Sequence, residues 1–326
     1  MTQSCRKVVA VSVGGTVLAA AVTVCAVWVP PLIVLHGPLK AVAEYRIKPG
    51  AAVDSLGGSR RAVSLVRRYL SLPDVVAPRK GAAVTLLGRC GPSAVPLIVK
   101  ALADDDPEVR IGAAWAAGRL GPCGRNVAVA LAEAAFNFAD TGRAASVAKD
   151  SLILLGPHAA PAVPRLIKAL DEDMLARLTA LKLIKKMGPV AKAAIPRLLA
   201  AARKPDSETR QEAVAALIRT GPQSVPGLVG MGAEVVPDLI AALGGPWPAP
   251  ETSIPALVGI GPDSVPDLIK ALARQDLAVQ AGAVRALGAI GAAARTAVPA
   301  LERIAASGDY RLRGLAAQAL QRIRGR

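Results

Sequence analysis

Residues 91–121 have the sequence GPSAVPLIVKALADDDPEVRIGAAWAAGRLG, which has the pattern of two short helices joined by a turn. Pro96 suits the first turn of a helix, because the N–H groups there have no partner within the helix and the one that proline lacks is not needed. The apolar run after it predicts that this first helix ends near Leu102. The acidic run Asp104–Asp106 favours the start of a second helix, and Gly121 is typical of the residue that ends one. The segment therefore predicts a helical hairpin.

The Gly-Pro pair that opens this segment recurs along the chain. Its intervals of 30 to 40 residues match the period of a helical repeat array, in which each repeat covers its neighbour's apolar face. The pairs begin at Gly91, Gly121, Gly156, Gly188, Gly221 and Gly261, and Gly291 continues the series with Ala292 in the proline's place. Two copies, residues 224–243 and 253–272, are identical at 13 of 20 positions. We therefore expect about eight helix pairs over residues 58–326.

The repeated pattern resembles the HEAT-like repeats of the phycobilisome-lyase type, most closely over residues 91–121. The resemblance implies an all-α fold, an α-solenoid of helix pairs in which the second helices line a concave face. Such arrays host many unrelated roles, so the resemblance is specific for the fold and not for a reaction. It leaves a lyase-type or other catalytic subunit, which acts on a bound protein, as the alternative to a binding scaffold.

A basic residue recurs near the start of the predicted second helix, which runs from Val109 to Leu120 in residues 91–121. Its copies are Lys80, Arg110, Arg177, Arg210 and Arg313, while Ala145 and Gln280 hold the position elsewhere. The resemblance implies that these basic side chains form a structural ladder, which ties the inter-helix turns of neighbouring repeats. Arg110 is the strongest candidate for such a tie, because it lies beside the acidic run Asp104–Asp106.

The N-terminus differs from the array. Residues 8–35 contain no Asp, Glu, Lys or Arg, and Arg6-Lys7 directly precede them. About 20 apolar residues suffice to cross a bilayer. We therefore predict one uncleaved transmembrane helix within residues 1–35, a linker over residues 36–57 and a single-pass membrane localisation. Two alternatives stay open: a signal peptide cleaved after Val24-Cys25-Ala26, and a buried helix of a soluble protein.

The net charge of +16 is unevenly distributed. Residues 36–90 hold ten basic and three acidic side chains, and residues 261–326 hold ten and five. The first block suits anionic lipid headgroups if it faces the cytoplasm, but basic residues flank the anchor too evenly to fix its orientation. A nucleic-acid partner is not predicted, because such sites place stacking aromatic side chains among the basic ones and only 2% of the residues are aromatic.

Two tryptophans are candidate binding residues for a protein partner. Trp115 holds a second-helix position that the other copies fill with Thr85, Asp150, Lys182, Ala215, Pro255, Arg285 and Gln318. Because these residues are mostly polar or small, we expect an open position on the concave face, where the ring contacts a partner or lies flat on a neighbouring repeat. Trp247, within Pro246–Pro250, is expected in a stiff, extended segment. That segment is either a docking element or a surface loop without a binding role.

The chain offers few residues for catalysis. Cys90 takes a core position and Cys123 a variable turn, and the two histidines, His36 and His158, have no partners at metal-ligand spacing. A phosphate-binding glycine loop is absent as well. We therefore assign no catalytic residue, no metal and no cofactor. The sequence predicts a membrane-tethered scaffold that binds a protein partner through its concave face. A catalytic subunit, or an adaptor to an anionic surface through the two basic ends, is the alternative.

Overall fold

The secondary structure is helical wherever the chain is described. This computed structural model describes residues 53–54, 56–71, 77–136, 142–204, 206–307 and 309–325. Within these ranges it contains no strand, which confirms the all-α prediction. The predicted membrane segment, residues 1–35, lies outside the described residues, as does the linker up to residue 52.

The described residues divide into two compact units, one up to Leu120 and one from Gly121 onward. The described helices of the first unit are α1 (Ser59–Leu70), α2 (Ala77–Thr85), α3 (Val95–Leu102) and α4 (Pro107–Gly118). Those of the second unit are α5 (Ala128–Ala135), α6 (Arg143–Leu154), α7 (Val163–Ala169), α8 (Met174–Met187), α9 (Ile195–Ala202), α10 (Ser207–Thr220), α11 (Val225–Val229), α12 (Val236–Ala242), α13 (Ala249–Ile260), α14 (Val265–Ala271), α15 (Leu277–Ile290), α16 (Val298–Ser307) and α17 (Tyr310–Arg324). Among the described residues these helices form eight pairs, and α11 is an additional short helix.

Each pair has a first helix and a second helix, and second helices of neighbouring repeats pack side by side. In the first unit α2 packs on α4, and in the second unit α8 packs on α10 and α15 on α17. The predicted first helices end where the pattern indicates, for example at Leu102. The second helix α4 begins two residues earlier than expected, since Pro107 occupies its first turn.

A sharp corner at glycine starts each new repeat. At Gly261 the backbone φ is +73°, a conformation that residues with a Cβ atom rarely adopt, so α13 ends there and the chain reverses. The polar step that follows forms a short 3₁₀ helix, Gly261–Ser264, before α14 begins. The Ser264 hydroxyl donates a hydrogen bond of 2.7 Å to the Gly261 carbonyl. The sequence indicates the corner and the helix start, but not this 3₁₀ segment.

The acidic inter-helix turns supply N-caps for the second helices. The Asp106 carboxylate accepts a hydrogen bond of 2.9 Å from the Glu108 N–H, which satisfies one donor that the helix leaves unpaired. The same kind of cap is made by Asp173, Asp206, Asp276 and Asp309. Gly142 before α6 and Pro248 before α13 make no side-chain cap. Capping by Asp is therefore a property of most, but not all, of these repeats.

Small residues bring neighbouring helices close together. Gly81 in α2 faces Gly112 in α4, and a Cβ atom built on Gly112 would lie 2.2 Å from the Gly81 carbonyl oxygen. Gly259 in α13 faces α11, where a Cβ atom would lie 2.5 Å from a methyl carbon of Val229. Such distances leave no room for a side chain, so glycine at these positions permits the helices to pack on each other's backbone.

One repeat is truncated. The 40-residue interval between Gly221 and Gly261 contains a further corner at Gly232, where φ is +67°. The first-helix pattern after Gly221 forms only the five-residue α11, and no second helix follows it before the next first helix, α12. The near-identical copies 224–243 and 253–272 therefore differ in structure. The first copy forms α11 and α12, whereas the second contributes the end of α13 and then α14.

The stack of second helices is displaced at this truncated repeat. In the regular stack, Lys185 near the end of α8 contacts Glu212 in the middle of α10, with 2.7 Å between the ammonium nitrogen and the carboxylate. The contact between α10 and α13 is made by a different part of each helix. Arg219, in the last turn of α10, bonds to the turn that precedes α13. The beginning of α13 thus lies at the end of α10, so the first turn of α10 is left without that neighbour.

Candidate functional site

Trp115 lies on the open side of α4. The residue is 45% exposed, although the residues on either side of it, Ala114 and Ala116, are buried. The guanidinium carbon of Arg119 lies 6.0 Å from the centre of the ring, at the outer limit of a cation–π contact. The counterparts of Trp115 in the other repeats are all exposed or half-exposed: Thr85, Asp150, Lys182, Ala215, Pro255, Arg285 and Gln318. This position therefore belongs to the exposed face of the second helices.

Trp247 is 66% exposed and lies in the turn between α12 and α13. The prolines of Pro246–Pro250 predict an extended segment, but the structure does not have one there. Residues 246–248 form a turn, and Ala249 and Pro250 are the first residues of α13. Arg219 holds the turn through bonds to the carbonyl oxygens of Pro246 (2.6 Å) and Trp247 (2.8 Å). The indole is thus presented by a backbone that is itself fixed. The two tryptophans belong to different units.

Two of the predicted ladder residues, Arg110 and Arg177, bond to turns of their own repeats. Arg110 donates hydrogen bonds of 2.6 and 2.8 Å to the carbonyl oxygens of Asp104 and Asp105, which belong to the turn before its own helix. Arg177 does the same with the carbonyl oxygens of Leu170 (3.0 Å) and Glu172 (2.8 Å). These four bonds run to the turn that precedes the residue's own helix. Each closes a turn whose carbonyl groups would otherwise lack donors.

Gln280 has the same role, although it is not basic and therefore falls outside the predicted ladder. Its side-chain N–H group donates to the carbonyl oxygens of Leu272 (3.0 Å) and Arg274 (2.7 Å) in the turn before α15. A long side chain with a planar N–H donor is the shared property, so glutamine can replace arginine. Lys80 and Arg313 lie at the corresponding places in α2 and α17.

Arg210 departs from this pattern. Within the described residues, no hydrogen bond or ion pair joins its guanidinium to the turn before α10 or to another side chain. It lines a cleft of about 310 Å³ together with Ala202, Arg203, Lys204, Met231 and Glu234. Burial raises the pKa of the nearby Asp238 carboxyl above its usual value, and the positive charge of Arg210 partly opposes this rise. The cleft lies where the truncated repeat leaves the first turn of α10 uncovered.

These features agree with the match to known sequences. The family model for HEAT repeats matches residues 77–153 and 236–321, which together are half of the chain. The chain belongs to the HEAT-repeat family. The match includes α4 with Trp115, and it omits the truncated repeat with α11.

Solved structures similar to this HEAT-repeat protein include two of Kap121p. Kap121p alone shares 13% identity over 86% of this chain and 38% of that chain, with a TM-score of 0.44. Kap121p bound to Nup53p shares 16% identity over 90% of this chain and 39% of that chain, with a TM-score of 0.33. The chain thus spans about two fifths of the length of these relatives, and the likeness carries no functional information. None of the curated proteins compared with the chain matches it.

The described cysteines of the HEAT-repeat protein are free thiols. Cys90 is 3% exposed, and its sulfur lies 3.7 Å from the Leu86 carbonyl oxygen. Burial raises the pKa of the Cys90 thiol to about 11, so the neighbouring Arg89 does not produce a thiolate there. Cys123 is half-buried. Cys90 therefore serves as a small apolar core residue.

Metal binding and membrane crossing can be judged within the described residues. Among the described residues no group of three His, Cys, Asp or Glu side chains could hold a metal ion. One described stretch, Leu277–Ala306, is long and apolar enough to cross a bilayer. It comprises α15, the corner at Gly291 and α16, and its helices pack on α17. Of its most apolar window, 44% is buried inside the structure.

Proposed function

We propose that this HEAT-repeat protein is a scaffold that binds a protein partner on the exposed face of its second helices, with Trp115 as an anchor. The observation that carries the proposal is the exposure of the Trp115 ring beside buried alanines on α4. Tryptophan is strongly enriched among the residues that dominate binding energy. A ring that contributes little to the core of its own repeat has its apolar area available to another protein.

The variation at the Trp115 position supports this role. Its counterparts in the second unit vary from Asp150 to Lys182 and Arg285, so the exposed face of the second helices differs from repeat to repeat. Residues that vary in this way allow a binding surface to favour one partner over others. The exposed Trp247 is a second candidate contact.

The proposal includes a membrane tether. Residues 8–35 are long enough to span a bilayer and contain no charged side chain, and the basic residues 36–90 suit anionic headgroups next to it. An uncleaved anchor is expected to keep the full-length chain in membranes through a carbonate wash. The intact mass should then include residues 1–35. A soluble product that begins at Val27 would contradict the tether.

The phycobilisome-lyase subtype remains part of the proposal and rests on the sequence of residues 91–121.

The scaffold role is tested by affinity purification from solubilised membranes, followed by mass spectrometry of the co-purifying proteins. We compare the wild-type chain with Trp115→Ala and with Tyr310→Ala, which removes another exposed aromatic side chain, 72% exposed, at the start of α17. We expect one specific partner to be lost with Trp115→Ala and kept with Tyr310→Ala. If Trp115→Ala folds normally and keeps every partner, the binding surface lies elsewhere.

A further inference from the structure

The basic cleft described above results from the truncated repeat. Because α11 is followed directly by the Gly232 corner, Arg203 and Lys204 face the connector before α12. Met231 and Glu234 of that connector form one wall. Arg203 and Lys204, from the end of α9, and Arg210, from the first turn of α10, form the other.

Positive side chains outnumber negative ones in the lining of this cleft. Three basic side chains line it and one carboxylate, Glu234, lies among them. Within the described residues no ion pair joins Glu234 to any of the three. Asp238 acts on Arg210 through its charge without forming an ion pair. In Arg177, by contrast, the guanidinium is held by two carbonyl groups of its own turn. Arg210 therefore has donors left for a ligand.

The lining favours a carboxylate-bearing peptide over other anions. Guanidinium and ammonium groups bind carboxylates through charge-assisted hydrogen bonds, and Met231 offers an apolar wall to the aliphatic part of a side chain. Glu234 repels a dianionic phosphate more than a single carboxylate, and it can accept a hydrogen bond from a peptide N–H group. No aromatic side chain lines the cleft for stacking on a base. A volume of about 310 Å³ suits one or two side chains of an extended segment.

We propose that the cleft formed by Arg203, Lys204, Arg210, Met231 and Glu234 binds an acidic segment of the protein partner, with Arg210 as its main carboxylate contact. This inference rests on the proposed scaffold function and adds the chemistry of the partner. The segment is rich in Asp or Glu, and it binds at a place distinct from Trp115, which belongs to the other unit.

The test uses the purified full-length chain in detergent and a fluorescein-labelled hexaglutamate peptide, followed by fluorescence anisotropy. Hexaglutamine is the neutral control peptide. Arg210→Gln removes the central charge, and Lys204→Gln removes a second. Arg295→Gln is the matched control, because Arg295 is an exposed arginine in the 3₁₀ segment before α16, outside the cleft and outside the second helices. Circular dichroism checks that every variant folds. Since Arg210 forms no side-chain hydrogen bond within the described residues, its replacement should leave the fold intact.

We expect saturable binding of hexaglutamate that weakens about tenfold with Arg210→Gln, as for the loss of a hydrogen bond to a charged group. Lys204→Gln should also weaken it, and Arg295→Gln should change it less than about twofold, since a distant exposed charge acts only through screened electrostatics. Equal losses in Arg210→Gln and Arg295→Gln, or equal binding of hexaglutamine, would overturn the proposal. So would displacement of the peptide by inorganic phosphate at lower concentration than by unlabelled hexaglutamate. Because this assay contains no partner, it can succeed even where the Trp115→Ala purification shows no loss.

Discussion

The guanidinium of Arg219, in the last turn of α10, donates a hydrogen bond of 2.8 Å to the carbonyl oxygen of Trp247, just before α13 begins. A second bond of 2.6 Å reaches the Pro246 carbonyl oxygen. This pair of bonds joins the end of one second helix to the beginning of the next, on either side of the truncated repeat. One side chain thus supports the turn that carries the exposed indole.

Replacing Arg219 with alanine is expected to loosen this turn. The change removes the donor to two carbonyl groups and should cost about 1 kcal/mol of stability, since the bonds are exposed to solvent. Hydrogen exchange at the start of α13 should accelerate, while exchange in α17 stays unchanged. Arg219→Lys should give an intermediate effect, because a single ammonium group cannot reproduce the planar fork. Exchange that rises equally in α13 and α17 would show that Arg219 stabilises the whole unit instead.

The ladder residues should separate into two classes. Arg177→Ala leaves the carbonyl groups of Leu170 and Glu172 without their donors and should cost about 1–3 kcal/mol. Arg210→Ala removes no such bond and should cost under about 0.5 kcal/mol. Both residues lie in the second unit at equivalent positions, so urea denaturation of the two variants compares them directly. Similar losses in both would show that Arg210 also closes its turn in solution.

Trp115→Ala should cost little stability compared with a core change. The ring is half exposed, so the expected loss is about 1 kcal/mol, well below the ~3–5 kcal/mol for a fully buried aromatic. Leu120→Ala, a buried residue of the same unit, should cost ~2–5 kcal/mol. Thermal unfolding followed by circular dichroism provides the comparison. If the two variants unfold alike, the ring has a packing role that its exposure does not indicate.

The regular part of the fold could be predicted from local pattern alone. Glycine at the corner, proline in the first turn and Asp at the N-cap each act within a few residues, so Gly261, Pro266 and Asp276 mark their element before any tertiary contact is known. The truncated repeat could not be predicted in this way. Gly232 lacks the proline that follows six of the other corners, and residues 225–229 have the same pattern as a full first helix.

Gly259→Ala should destabilise the second unit through a clash. Alanine is a better helix former than glycine by about 1 kcal/mol, but the added methyl group would lie 2.5 Å from Val229. Overpacking of this kind costs about 1–3 kcal/mol. Gly314 in α17 has no atom within 4 Å of a built Cβ, so Gly314→Ala should stabilise by about 0.5–1 kcal/mol.

A double variant makes this prediction specific. Val229→Ala removes the methyl groups that Gly259→Ala would strike, so the two changes together should cost less than the sum of the separate losses. Additive losses in chemical denaturation would place the damage of Gly259→Ala outside the contact between α11 and α13.

Cys90 should make stability depend on pH above 9. Burial raises the pKa of its thiol from 9.0 to about 11, so the unfolded chain loses this proton at lower pH than the folded chain. The contribution is complete below pH 9 and declines as pH rises to 11, by at most about 2.7 kcal/mol. Cys90→Ala has no thiol to titrate. The difference in urea midpoint between wild type and variant should therefore shift against the wild type over this range, and a constant difference would contradict the raised pKa.

Less of the candidate site than of the fold could be predicted from the sequence. The open position of Trp115 could be inferred because its counterparts are polar, and polar residues are rarely buried without partners. The role of Gln280 could not, because donor geometry is shared by residue types of different charge. The cleft at Arg210 arises from the displacement between α10 and α13. This displacement is a tertiary contact, which local sequence does not predict.

The near-identity of residues 224–243 and 253–272 bears on how such an array changes in length. A genetic exchange between the two copies that removed residues 225–253 would join Ser224 to Ile254 and give the sequence GPQSIPALVGIGPDSVPDLI. This sequence again has a short helix, a glycine corner and a first helix after α10. One helix pair would be lost, yet the junction would be of the type that the chain already folds. The truncated repeat is thus a point at which a whole repeat can be gained or lost while the junction keeps a sequence pattern that the chain already contains.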